Sequence, residues 1–202
     1  MNSKTAIKQL RYLDKITPNI RLAAEWNKPW KVLISTILSA QTKDAKTIEI
    51  SNILYKKFPT LKKLAESKLK EVRIIIRPIN YYKTKSKHIL QTAKIIIKNG
   101  IPDKIEDLLE LPGVGRKVAN VYLAVAHKKQ VIGVDTHVAR ISHKLGWTKE
   151  HNPHKVEKDL EKLFPRRYWR SINYILVRFG QTHGKSRKNE DEVLKKIKSK
   201  AL

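Results

Sequence analysis

One lysine and one aspartate stand where side chains could do chemistry. Lys117 follows Pro112-Gly113-Val114-Gly115-Arg116 and directly precedes the apolar run "VANVYLAVA". That places it in the first turn of a helix, where the positive end of the helix dipole disfavours cations and favours anions. The dipole, the neighbouring Arg116 and partial burial against Val118 and Val121 all oppose a charge on the Lys117 amine. A neutral amine is what a Schiff-base nucleophile requires. A lysine that simply contacts a phosphate is the commoner arrangement at such a place, and the residues alone leave both open. Asp135 follows the apolar stretch "VIGV" and precedes a helical pattern, which makes it an N-cap. A capping carboxylate accepts helix N–H groups and is stabilised as the anion. That suits a group facing positive charge developing on a sugar, and it equally suits a purely structural cap.

The loop before Lys117 has its own chemistry. Gly113 and Gly115 can take positive φ and leave backbone amides unshielded, while Pro112 fixes the approach. The backbone from Gly113 through Val114 to Gly115, continued by the helix start at Arg116, forms an anion site that needs no side chain. An ordinary connection between two helices fits the same residues. What favours the anion site is "IEDLLEL" just upstream, a helix that feeds the turn and completes a helix–hairpin–helix, a clamp for a DNA backbone.

The elements that must carry these residues are helices throughout. Apolar residues recur at helical spacing along nearly the whole chain, and no strand alternation is present. Ile7, Leu10, Leu13 and Ile16 mark a first helix, and "KPWKVLISTILSAQ" a second. A third places Ile50, Ile53 and Leu54 on one face. Short helices at 60–66 and 67–76 lead to a longer one from about Tyr82 to Lys98, stopped by Asn99-Gly100 and Pro102. Further helices follow Asp135, run between Pro153 and Pro165, and span "RYWRSINYILVRFGQTH". A last polar helix takes Asn189 as its N-cap, with acids in its first turn and lysines near its end. The expected fold class is all-α.

Composition narrows the partner. The chain of 202 residues carries 44 lysines and arginines against 18 acids, a net charge of +26 spread along its length. A polyanion is the simplest partner, because neutralised phosphates release counterions. An anionic membrane surface is the competitor, yet no apolar run reaches the roughly 18 residues of a membrane span. The N-terminus lacks a charged-then-apolar leader, so the cytoplasm, with the nucleoid in a prokaryote, is the expected compartment.

The segment "LPGVGRKVANVYLAVA" followed by "VDTHVAR", together with "LISTILSAQTKD" upstream, resembles the endonuclease III family of helix–hairpin–helix–Gly/Pro–Asp DNA glycosylases. The resemblance covers roughly residues 25 to 180. It implies two helical domains flanking a cleft. One is a six-helix barrel with the helix–hairpin–helix over 21–130, and the other combines 1–20 with 131–202. It implies a monomeric base-excision repair enzyme acting on double-stranded DNA that contains a damaged base or an abasic site. In such an enzyme Lys117 attacks the sugar C1′, a damaged pyrimidine leaves, and β-elimination nicks the strand 3′ to the lesion. Asp135 then assists base departure and proton transfer. The chemistry requires the base to be flipped from the stack. By the same resemblance Gln41 fills the gap left by the flipped nucleotide and Tyr81 is a second wedge, although Tyr81 or its neighbour Tyr82 also fits a core position. Pro112, Gly113, Val114, Gly115 and Arg116 hold the backbone, and His137 has a structural role only. Two other functions stay open: a monofunctional uracil or thymine mismatch glycosylase, and a non-catalytic DNA-binding protein that keeps the clamp.

The resemblance fails at one place. Members of the family generally end in four cysteines that hold a [4Fe–4S] cluster just after the helix matching "SINYILVRFG". This chain has no cysteine, so no such cluster can be ligated and no cofactor is expected. His183 stands in that region without any metal-ligand spacing. Lys185, Arg187 and Lys188 are the basic residues available there to meet DNA.

Overall fold

In the computed structural model of the chain, which describes residues 1–201, helix boundaries follow the caps and breakers written into the sequence. They are α1 (Ser3–Ile16), α2 (Pro29–Ser39), α3 (Asp44–Lys57), α4 (Leu61–Ala65), α5 (Leu69–Ile75), α6 (Tyr82–Asn99), α7 (Ile105–Leu109), α8 (Arg116–Ala126), α9 (Thr136–Leu145), α10 (Pro153–Leu163), α11 (Trp169–His183) and α12 (Arg187–Ala201). No strand occurs among the described residues, and the fold is all-α. Asn2 caps α1 by accepting from Thr5 N, and Asn152 caps α10 ahead of Pro153 at its first position. Gly100 ends α6 with φ +81, a conformation open to glycine without strain. Among the described residues no helix is long and apolar enough to cross a membrane.

The helices sort into two units, Arg21–His127 and Met1–Ile20 joined by the stretch from Lys128 onward. In the first, α2 is the central element. Val32, Leu33, Ile34, Ile37 and Leu38 are all buried, and α3, α6 and α8 pack around the helix. In the second, Leu10 and Leu13 of α1 meet Val138 and Ile141 of α9, Leu160 of α10, Ile172, Leu176 and Phe179 of α11, and Leu194 and Ile197 of α12. Trp147 belongs to this core and satisfies its ring N–H by donating to the buried Gln9 Oε1 at 2.6 Å.

Two sequence expectations need correction. Ile53 is half exposed, at 49%, because the buried face of α3 runs through Thr47, Ile50, Ser51, Leu54 and Tyr55. At 100° per residue Ile53 falls outside that arc. The last helix starts before Asn189: it begins at Arg187, with Ser186 Oγ accepting from Asn189 N at 3.4 Å and Ser186 O accepting from Glu190 N. Starting there places Glu190, Leu194, Ile197 and Ala201 on one buried stripe.

Candidate active site

The hairpin between α7 and α8 is built tightly into the Arg21–His127 unit. Leu111 and Val114 are buried, and the Val114 amide donates to Leu111 O at 3.0 Å, closing the turn. Thr92 of α6 donates its hydroxyl to Pro112 O at 2.9 Å. Gly113 takes φ +78, and a Cβ there would press on His88 and on Ile37. Gly115 is different. Its φ is −92, so the expected positive φ is absent, and nothing lies within 4 Å of where its Cβ would be. Any residue could adopt that backbone, and glycine there leaves open surface.

No side chain caps α8. The amides of Gly113, Gly115 and Lys117 donate to no acceptor among the described residues. The hairpin therefore aims unpaired N–H groups outward at the positive end of a helix. Arg116 and Lys117 are half-buried in the first turn, above an inner face formed by Val118, Ala119, Val121 and Tyr122. Since α2 is the main packing partner of α8, the first turn that carries Lys117 is anchored to the centre of its unit.

Asp135 lies in the other unit, at the N-cap of α9. Its Oδ1 accepts from Val138 N at 2.9 Å, while Oδ2 has no partner among the described residues. The approach to this cap is fixed by buried Ile132 and Val134, and by Asn173 of α11 donating to Gly133 O at 2.6 Å. His137, in the next turn, packs against Gly180, where a Cβ would collide with its ring, and its Nδ1 pairs with Arg140 at 3.1 Å.

Gln41 and Tyr81 are brought together, both exposed and both with left-handed backbone, φ 54 and 59. Asn80 Nδ2 donates to Gln41 O at 2.5 Å. Lys85 is buried beside them, where burial and then the charge of Lys117 lower its pKa to about 8. Sequence reasoning overlooked Asn80 and Lys85. The signal was present, because Lys85 shares the inward stripe of α6 with Ile89, Thr92, Ala93 and Ile96. A lysine on such a stripe needs buried partners.

Lys185, Arg187 and Lys188 are all exposed around the turn from α11 to α12. Two residues after Lys188 in α12, Glu190 is fully buried and paired with Arg140 and Lys144 of α9. Its burial opposes ionisation, but the hydrogen bonds and charges of those two cations outweigh it and hold its pKa below the usual carboxylate value. His183 stacks on Phe179 with ring centroids 4.6 Å apart. The chain has no cysteine, and no group of three or more His, Asp or Glu among the described residues could hold a metal ion. A cluster does not fit here, since a Cβ at Gly184 would already meet the Glu190 carboxylate that ties α12 to α9.

The hairpin thus ends in an uncapped helix N-terminus behind an open glycine, with unpaired backbone amides exposed beside Arg116 and Lys117. The chain belongs to the HhH-GPD superfamily of base excision DNA repair proteins, whose model matches residues 34–166. Within that superfamily it resembles endonuclease III. It is 41% identical over 156 residues to the endonuclease III of Thermotoga maritima, covering 76% of this chain and 73% of the relative. It is 33% identical over 183 residues to the Synechocystis sp. endonuclease III, covering 89% and 84%. A solved trapped endonuclease III–DNA covalent intermediate superposes with TM-score 0.85 at 32% identity, over 93% of this chain and 90% of that one. A thermostable thymine-DNA glycosylase shares the fold, with TM-score 0.81 at 18% identity over 98% and 97% of the two chains.

Proposed function

We propose that the chain is a base-excision repair DNA glycosylase with AP lyase activity, acting on damaged pyrimidines in duplex DNA. The observation that carries the reading is Lys117 itself, an amine in the first turn of an uncapped helix behind a hairpin with unpaired amides. Gly113 and Gly115 present those amides to a phosphate, with Pro112 and Val114 setting the turn and Arg116 adding charge. Gln41 and Tyr81 enter the duplex, and Lys185, Arg187 and Lys188 meet its backbone.

The Lys117 Nζ lone pair forms a bond to C1′ of the flipped nucleotide, and the base departs with the electrons of the glycosidic bond and gains a proton. Ring opening gives an iminium between Nζ and C1′. Loss of a C2′ proton then expels the 3′ phosphate, and water releases the lysine. Asp135, with one oxygen held by Val138 N and the other free, stabilises positive charge on the sugar and moves the protons. The amine and carboxylate suffice for every step, so the reaction needs no cofactor. The enzyme works as a monomer in the cytoplasm, beside the nucleoid in a prokaryote.

The test is a duplex oligonucleotide containing one oxidised pyrimidine, resolved on a denaturing gel with and without alkali. A strand nicked without alkali, ending in an unsaturated aldehyde, supports the lyase. A strand that breaks only after alkali shows base release alone, the outcome for a monofunctional mismatch glycosylase. An intact strand with salt-sensitive binding shows a clamp without chemistry.

A further inference from the structure

The exit of α2 and the entry of α6 are laced together by hydrogen bonds that the reaction above does not use. The Lys85 ammonium donates to Leu38 O at 2.7 Å, Ala40 O at 2.5 Å and Thr42 Oγ1 at 3.3 Å. These account for all three of its protons. Two of the acceptors are carbonyls at the negative end of α2, where a cation is favoured. Asn80 takes the next carbonyl, that of Gln41. Between these tethers stand Gln41 and Tyr81, both exposed and both left-handed. Such backbone strain in residues other than glycine persists only where the surroundings over-determine it. An apolar side chain would fill the Lys85 position of α6 more cheaply than a cation only 6% exposed. What the lysine supplies is a grip on three acceptors of another segment.

We propose that Lys85 and Asn80 are positioning residues that lock Gln41 and Tyr81 into one preformed wedge for the DNA duplex. The proposal rests on the reading of Gln41 and Tyr81 as the residues that enter DNA. Flipping a nucleotide sacrifices stacking, and a wedge already held in shape replaces it without ordering two loops at that moment. Neither positioning residue needs to touch the nucleic acid.

The test compares single-turnover cleavage at an abasic site in a duplex with cleavage at the same site in a single strand, which has no partner base to part from. Lys85→Met is expected to lower the ratio of duplex to single-strand rate by about tenfold or more. Asn80→Ala, which removes one exposed amide and leaves the core intact, is expected to lower it in the same direction, and it serves as the test should Lys85→Met not fold. In a Gln41→Ala/Tyr81→Ala background, Lys85→Met is expected to lower the ratio no further. A ratio unchanged in both single variants, or equal losses on both substrates, overturns the proposal. A Gln41→Ala/Tyr81→Ala variant that keeps the wild-type ratio removes the underlying wedge reading. A wild type that cleaves neither substrate removes the lyase reading.

Discussion

A Cβ added to Gly113 would stand 2.8 Å from Nδ1 of His88, and φ +78 already strains any other residue there. Gly115, two residues on, has an unstrained φ and open space in front of it. The fold requires glycine at 113 but not at 115, where the proposed function assigns the open space to an approaching DNA backbone. Gly113→Ala is expected to lower stability by about 1–3 kcal/mol in urea unfolding. Gly115→Ala is expected to stay within about 1 kcal/mol of wild type while weakening duplex binding at every salt concentration. Equal stability losses in the two variants would contradict this division.

Asp135 caps α9, and the proposed function gives it a chemical role as well, which substitutions separate from the cap. Asparagine caps a helix about as well as aspartate, so Asp135→Asn is expected to keep the melting temperature of wild type. Asp135→Ala loses the bond from Val138 N and about 1 kcal/mol. Both are expected to lower single-turnover base release by about a hundredfold. A fully active Asp135→Asn would leave the residue a cap alone.

The buried Lys85 makes stability depend on alkaline pH. Its folded pKa, near 8, lies below the ordinary 10.5 because burial, and next the charge of Lys117, oppose its cation. The penalty for the charge is present in full below the folded value and is relieved as pH rises from about 8 towards 10.5. Burial raises the pKa of Tyr55, and that of Tyr122 to about 12, which lowers stability only once phenols in the unfolded chain ionise, near pH 10. Urea unfolding between about pH 8 and 9.5 should therefore show a gain of roughly 1–2 kcal/mol. Lys85→Met should flatten it. A wild-type profile that falls over this window would contradict the placement of the lysine.

Glu190 adds a dependence of the same sign at the acid end of the scale, where stability again rises with pH. Its pKa is depressed, so its contribution is present above the unfolded value of 4.5 and is lost as pH falls through the folded one. Glu190→Gln removes the buried negative charge facing Arg140 and leaves Lys144 with Asp191 alone, and it is expected to destabilise the protein by about 3 kcal/mol at neutral pH, with a shallower acid transition than wild type. Loss of protection in α12 by hydrogen exchange would locate the effect.

Much of this was legible in the sequence because its signals are local. Helical periodicity, the Asn99-Gly100 stop, the Asp135 cap and the hairpin all act within a few residues of themselves. The start of α12 was less so, because Ser186 and Asn189 are comparable caps and the choice falls to distant Arg140 and Lys144, which receive Glu190. Lys85 was hidden for a similar reason. Its long stem delivers the ammonium to carbonyls of α2, more than forty positions earlier in the chain. The reading of Gln41 and Tyr81 as a wedge came from resemblance, whereas the bonds that tether their segments are visible only in three dimensions.

The central claim is that Lys117 is the amine that joins the sugar. Borohydride reduction during reaction with a duplex carrying one abasic site tests it most directly. The account predicts a covalent protein–DNA adduct with wild type, mapped to Lys117 by peptide mass, and none with Lys117→Ala although that variant still binds DNA. An adduct of equal yield in Lys117→Ala, or none in a wild type that binds well, would contradict it.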